Sequence, residues 1–154
     1  MLHKFFAFAL LIVIAASCSK DETVDYGPID DKIINDYLAA NNLTAESTPS
    51  GLYYIILTPG GTIHPTINNA VKVMYKGYLT DGTIFDQTTY STNKPATFPL
   101  ENLVKGWQEG LPMIGAGGKI QLFIPSELGY SSTAKPNIPA NSVLIFDIDL
   151  LDFY

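Results

Sequence analysis

The stretch Val73-Met74-Tyr75-Lys76-Gly77-Tyr78-Leu79-Thr80-Asp81-Gly82-Thr83-Ile84-Phe85-Asp86 decides the fold of this chain. With the residues just before it, it alternates: Val71, Val73 and Tyr75 fall on one side of an extended backbone, and Lys72, Met74 and Lys76 on the other. A period of two is the pattern of a strand. The alternation stops at Asp81-Gly82, a pair that readily takes the positive φ values of a tight hairpin turn. Thr83 to Asp86 then returns as a second strand.

On either side of this hairpin the chain keeps the same grammar. Residues 52–57 are rich in Tyr and Ile and are stopped by Pro59-Gly60-Gly61, the mark of another strand. Leu103, Val104, Trp107 and Leu111 recur at helical spacing, and Gly106 among them removes a side chain, allowing the helix to approach a sheet closely. Gly115, Gly117 and Gly118 make a turn. Ile120, Leu122 and Ile124 alternate on a strand that Pro125 closes. Residues 126–141 form a long loop rich in Ser, Pro and Asn. Val143 to Leu151 is the last strand, with Leu144, Phe146, Ile148 and Leu150 on one face. Several strands around one short helix make an α+β domain, which we place at residues 47–154.

Before it, residues 28–46 read as a helical extension. Pro28 suits a first helical turn, and Asp30 and Asp31 suit the positive end of the helix dipole. Ile33, Ile34, Tyr37 and Leu38 make a short apolar stripe, and Asn41-Asn42 can end the helix. A stripe this short must be covered by the main domain or by a second copy of the chain.

The first residues read as an address rather than as fold. Lys4 precedes a continuous apolar run from Phe5 to Ala16, and small residues lead up to Cys18, the secretory pattern. The run is shorter than the about 20 residues a membrane-spanning helix needs. Ala15-Ala16-Ser17-Cys18 resembles a lipobox, in which the cysteine becomes the lipidated first residue of the mature protein. This reading gives residues 1–17 as signal peptide and 18–27 as a lipidated cysteine with a flexible tether. Ser19-Lys20-Asp21-Glu22 reads equally as a solvated acidic tether or as an acidic tag for export to the cell surface. The expected location is the cell envelope, anchored to the outer membrane through Cys18, with either face of that membrane open to it.

Composition removes several alternatives. The chain has 154 residues, a formal charge of −6 and nine basic residues, every one of them Lys. Nucleic-acid binding calls for a basic stripe, and none is present. Cys18 is the single cysteine, so no intrachain disulfide forms. His3 and His64 are the only histidines, which leaves no cluster with metal-ligand spacing and no protease triad. Neither metal nor cofactor is expected.

Four motifs, taken together, resemble the FKBP-type peptidyl-prolyl cis-trans isomerases. The hairpin of residues 73–86 resembles their V-x-Y-x-G-x-L-x-D-G-x-x-F-D signature. Val104-Lys105-Gly106-Trp107-Gln108-Glu109-Gly110-Leu111 is similar to the helix that floors their pocket. Ile124-Pro125 and Leu128-Gly129-Tyr130 match the start of their flap, and Ile138-Pro139-Ala140-Asn141-Ser142-Val143-Leu144-Ile145-Phe146-Asp147 their closing strand. The order and separations agree over about residues 51 to 152.

The resemblance implies an antiparallel β-sheet wrapped around one short α-helix. It further implies a prolyl cavity built by Tyr75, Phe85, Asp86, Trp107, Tyr130 and Phe146, with Leu103, Val104 and Ile138 binding substrate. Proline-containing polypeptides would be its ligands, with macrolide inhibitors as further candidates. Trp107 would be the floor; Tyr75, Phe85 and Phe146 the walls. The N–H of Val104 and the hydroxyl of Tyr130 would hold substrate carbonyls. Asp86, at the edge, would orient Tyr75 or polarise the surroundings of the twisting carbonyl. The chain departs from the family in five places: no Arg follows Asp86 to pair with it, two residues are missing between Leu100 and Asn102 relative to short members, and three single positions differ. Ala96 aligns where a further aromatic wall is common, Ser131 follows the flap tyrosine in place of Gly, and Asn137 precedes Ile138 in place of an apolar residue.

Such a site suits a reaction without a nucleophile. Rotation about a prolyl bond is slow because C–N resonance must be broken, and the twisted amide is less polar than the planar one. A water-poor aromatic cavity therefore disfavours the planar ground state more than the twisted state. A thousandfold acceleration needs about 4 kcal/mol. The same cavity also fits a chaperone module that holds proline segments with weak or no turnover, and a rate measurement separates the two.

Overall fold

A computed structural model of the chain describes residues 24–88 and 94–154. The proposed signal peptide and Cys18 lie outside the described residues. The described chain runs α1 (Gly27–Ala40), β1 (Glu46–Ser47), β2 (Tyr53–Thr58), β3 (Ala70–Tyr78), β4 (Ile84–Gln87), β5 (Ala96–Pro99), α2 (Lys105–Gly110), β6 (Gly118–Ile124) and β7 (Leu144–Phe153). Single 3-10 turns cover Leu100–Asn102, Leu111–Met113 and Ser126–Leu128.

The strands form one antiparallel sheet in the order β1-β2-β6-β7-β3-β4, with β5 also paired to β3. The centre is β7, held between β6 and β3 in registers that place Phe146 opposite both Leu122 and Gly77. One long side of β3 is shared: β5 pairs with its first half and β4 with its end. Between them Thr88 folds back on Tyr75. The Tyr75 N–H donates to Thr88 Oγ1 at 2.8 Å, and the Thr88 N–H donates to the Tyr75 carbonyl at 2.9 Å. The backbone of Tyr75 is thus satisfied where the neighbouring strand is interrupted.

Alternation sends side chains to two separate cores. Val71, Val73, Tyr75, Ile120, Leu122, Ile124, Leu144, Phe146, Ile148 and Leu150 lie on one face with Trp107 and Leu111 of the α2 region. Phe123, Val143 and Ile145 lie on the other and are covered by Ile34 and Leu38 of α1. The N-terminal helix therefore docks on its own domain. Its stripe is narrower than the spacing predicts: Ile33 is 36% exposed while Ile34 is 1% exposed. Successive helical residues are turned about 100° apart, so Ile34, Tyr37 and Leu38 share the sheet-facing side and Ile33 does not.

The central helix is also shorter than expected. Leu103 and Val104 are extended (ψ 167° and 151°), and helix begins only at Lys105. The close approach at Gly106 is real. A Cβ there would stand 2.6 Å from Ile124 side-chain atoms, and one at Gly110 would stand 2.6 Å from Leu122. These two glycines, one turn apart, let α2 lie on β6 and bring Trp107 down to the sheet.

Candidate functional site

The residues singled out by the motifs converge at the open end of the α2-side core. A cavity of about 470 Å³ is lined by Tyr75, Phe85, Asp86, Leu103, Val104, Trp107, Tyr130, Ile138 and Phe146, with Phe98, Asn102, Lys135 and Pro136 completing it. All nine predicted residues are therefore brought together, and among the described residues no side chain fills the hollow between them.

The rings make a box of edge-to-face contacts. The Trp107 ring lies 5.4 Å from that of Tyr75 and 5.2 Å from that of Phe146, at interplanar angles of 84° and 88°. Phe85 stands against Phe146 at 5.4 Å and 80°. Perpendicular rings point a positive edge at a negative face, an arrangement that holds each ring in one orientation. Gly77 makes the pairing of Phe85 with Phe146 possible. A Cβ at that position would sit 2.6 Å from Phe85 Cε2 and 2.7 Å from Phe146 Cε1. Trp107 is 3% exposed and forms the bottom; Phe85 and Tyr130 are half-buried at the mouth.

Polar groups lie at the rim. The Tyr75 hydroxyl donates to Asp86 Oδ2 at 2.6 Å, so Asp86 stands where it can orient that ring. Burial, and then the bond to Asp86, hold the Tyr75 phenol well above its ordinary value. Burial, and then the Asp86 charge, raise Tyr130. Both phenols stay protonated at neutral pH and can donate. The N–H of Val104 has no acceptor among the described residues, because the extended backbone at Leu103 and Val104 precedes the helical ladder.

The flap of residues 126–141 supplies Tyr130, Lys135, Pro136 and Ile138. Its shape depends on left-handed residues: Ser131 (φ +51°), Asn137 (φ +61°) and Asn141 (φ +58°). Two of the departures from the family pattern, Ser131 and Asn137, thus fall where the backbone is strained for ordinary residues. Asn tolerates this region better than most side chains, whereas Ser at 131 does so at a cost that Gly would avoid. Lys135 Nζ lies 5.5 Å from the centre of the Tyr130 ring, a cation–π distance.

One assignment is corrected. Ala96 is not the place to look for the further aromatic wall: Phe98, two residues on and on the same face of β5, takes that place, its ring 6.2 Å from Tyr75. Pairing of β5 with β3 sets Phe98 opposite Val71 and Ala96 opposite Val73. The 96/98 alternation is present in the sequence, but a four-residue strand that follows Pro95 and ends on Pro99 gives a weak signal. Among the described residues no group of three or more His, Cys, Asp or Glu is placed to hold a metal ion.

Residues 61–151 match the family of FKBP-type peptidyl-prolyl cis-trans isomerases. The chain belongs to that family. It is 44% identical over 118 residues to the FKBP-type isomerase FkpA of Aeromonas hydrophila, covering 75% of this chain and 44% of the relative. It is 53% identical over 106 residues to FkpA of Buchnera aphidicola from Schizaphis graminum, covering 68% and 42%. The chain thus spans less than half the length of these curated relatives. Among solved structures it resembles Escherichia coli FkpA (TM-score 0.72, 36% identity, 83% of this chain and 60% of that one). It also resembles a Pseudomonas syringae peptidyl-prolyl cis-trans isomerase (TM-score 0.68, 30% identity, 85% and 98%). Every cavity residue of this FKBP-type chain falls inside the family match, whereas α1 lies before it.

Proposed function

We propose that this chain is a peptidyl-prolyl cis-trans isomerase acting on proline-containing polypeptides of the cell envelope. The observation that carries the reading is the open aromatic box itself, with donors at its rim and no His, Cys or Ser among its described lining residues. A prolyl ring seated over Trp107, between Tyr75, Phe85 and Phe146, takes its amide out of water. Desolvation raises the polar planar amide more than the twisted one, so the barrier falls. The Val104 N–H and the Tyr130 hydroxyl hold the flanking substrate carbonyls, while Leu103 and Ile138 pack beside the peptide. Asp86 fixes Tyr75, keeping that wall in place as the substrate turns. Macrolide inhibitors would compete for the same box.

The test is two-dimensional NMR exchange on an Ala-Leu-Pro-Phe peptide with the chain from residue 24 onward. Cis-trans exchange is expected to quicken at micromolar protein. Line broadening without faster exchange would replace this reading with that of a proline-segment-binding chaperone.

The same proposal includes the address. Residues 1–17 are removed, Cys18 is lipidated, residues 18–27 tether the domain, and the protein sits at the outer membrane. Metabolic labelling with radioactive palmitate is expected to mark the wild-type protein and to be abolished by Cys18→Ala. Equal labelling of both would remove the anchor.

A further inference from the structure

We infer that Asp30, on the N-terminal helix outside the family's matched region, is a positioning residue for the flap tyrosine of the cavity. This rests on the reading of the cavity as a prolyl-isomerase site.

Asp30 is 1% exposed. At the sequence level it reads as an ordinary dipole-matching acid in a first helical turn. In the structure its Oδ2 accepts two hydrogen bonds from one residue 96 positions away, from the Ser126 N–H at 2.8 Å and from Ser126 Oγ at 2.6 Å. Ser126, itself 1% exposed, is the root of the flap. Its carbonyl accepts the N–H of Gly129 at 3.0 Å and that of Ser131 at 2.8 Å, the two neighbours of Tyr130. The backbone turn that aims Tyr130 into the cavity therefore hangs on Ser126, and Ser126 hangs on Asp30.

The rest of α1 supports the same end. Ile34 and Leu38 pack on Phe123, three residues before the root, and on Val143 and Ile145, just past the flap's end. The Tyr37 and Phe123 rings are 5.9 Å apart. Both legs of the flap thus rest on α1. Within the flap, the Asn141 N–H donates to the Ser131 carbonyl at 2.8 Å, and Lys135 and Ile138 exchange backbone bonds of 2.9 Å each. A loop so closed on itself tilts as a piece when its root is released, carrying Tyr130, Lys135, Pro136 and Ile138 with it. A buried carboxylate bonded to a buried N–H and hydroxyl is a strong, directional tie, well suited to prevent that tilt.

The test uses Asp30→Ala and the milder Asp30→Asn, which keeps one acceptor, in the full chain. Lys32→Ala serves as control, since it breaks only the exposed Lys32–Asp36 pair on the same helix. Asp30→Ala is expected to lower kcat/KM about fivefold, Asp30→Asn less, and Lys32→Ala not at all. Tyr130→Phe alone should cost no more than that, and the double variant should be no worse than Asp30→Ala alone, because Asp30→Ala already withdraws the Tyr130 contact. Independent effects that multiply would overturn the proposal. A second readout does not depend on turnover: amide exchange at Gly129 and Ser131 should quicken at least about tenfold in Asp30→Ala, with β7 amides unchanged. Unchanged flap protection overturns the positioning role even if the wild-type protein proves inactive, whereas an inactive wild type with a released flap overturns only the isomerase reading.

Discussion

At the scale of the residue, the proposed mechanism asks for fixed geometry and two donors. Tyr75 is fixed at its backbone by Thr88 and at its hydroxyl by Asp86, so neither end of the side chain is free to yield to substrate. Asp86→Val removes the outer of these ties, leaving a buried phenol without its acceptor. The expected result is a loss of about tenfold in kcat/KM with a native circular dichroism spectrum. Tyr130→Phe would remove the neutral hydrogen bond proposed to reach substrate, and is expected to cost about three- to tenfold, seen in NMR exchange at fixed peptide concentration. Full rates for both variants would dissolve the assignment of these residues. Ser131 makes the opposite kind of prediction. It holds φ +51° with its side chain exposed, so Ser131→Gly relieves a backbone penalty without removing a contact. We expect it to raise stability by about 0.5–1 kcal/mol in urea unfolding.

At the scale of the element, the central requirement is that α2 lies directly on β6. Gly106→Ala would push a methyl to 2.6 Å from the wholly buried Ile124, and the helix must lift or the isoleucine must leave its rotamer. A cost of about 1–3 kcal/mol is expected from overpacking, read as a lower denaturant midpoint. Because Trp107 is the next residue, activity should fall along with stability. This close approach is legible in the sequence, since a glycine costs helix stability and its place inside an apolar stripe signals contact rather than propensity. Long alternating strands are legible because β3, β6 and β7 place alternate side chains on each face, and period carries that directly. Other features have no period to carry them. β5 is four residues long beside prolines, too short for its alternation to single out Phe98 over Ala96. Leu103 and Val104 stand at helical spacing from Trp107, yet their backbone is extended and the ladder starts after them. The flap's shape is set by single left-handed residues, and the burial of Asp30 by a partner 96 positions away. Long-range pairing of polar groups leaves no periodic trace.

At the scale of the whole molecule, one sheet carries two cores, and wholly or partly buried phenols stand in both. Tyr75 and Tyr130 border the cavity, while Tyr78 packs on the α1 side, donating to Asp147 Oδ1 at 3.2 Å and accepting from Gln121 at 3.0 Å. Burial is the main cause that raises all three phenols above their ordinary value; Asp86 adds to it for Tyr75 and Tyr130, and Asp147 for Tyr78. The consequence for stability has a definite sign. In the unfolded chain a tyrosine loses its proton near about pH 10. In the folded chain these three keep theirs to higher pH, so the folded state binds more protons in that interval, and raising the pH favours unfolding. The stability they contribute is complete below about pH 10 and is lost as pH climbs toward the folded values. The formal charge of −6 grows with each phenolate, adding repulsion in the same direction. Urea midpoints taken at neutral pH and in steps above about pH 10 are therefore expected to fall in the alkaline range, with phenolate absorbance rising together with loss of structure. Tyr78→Phe isolates the effect on the α1 face, away from the cavity. It should lower stability at neutral pH, where its hydrogen bonds are lost, yet flatten the alkaline decline by the share of one proton. A decline equally steep in the variant would mean that the buried phenols do not govern alkaline unfolding.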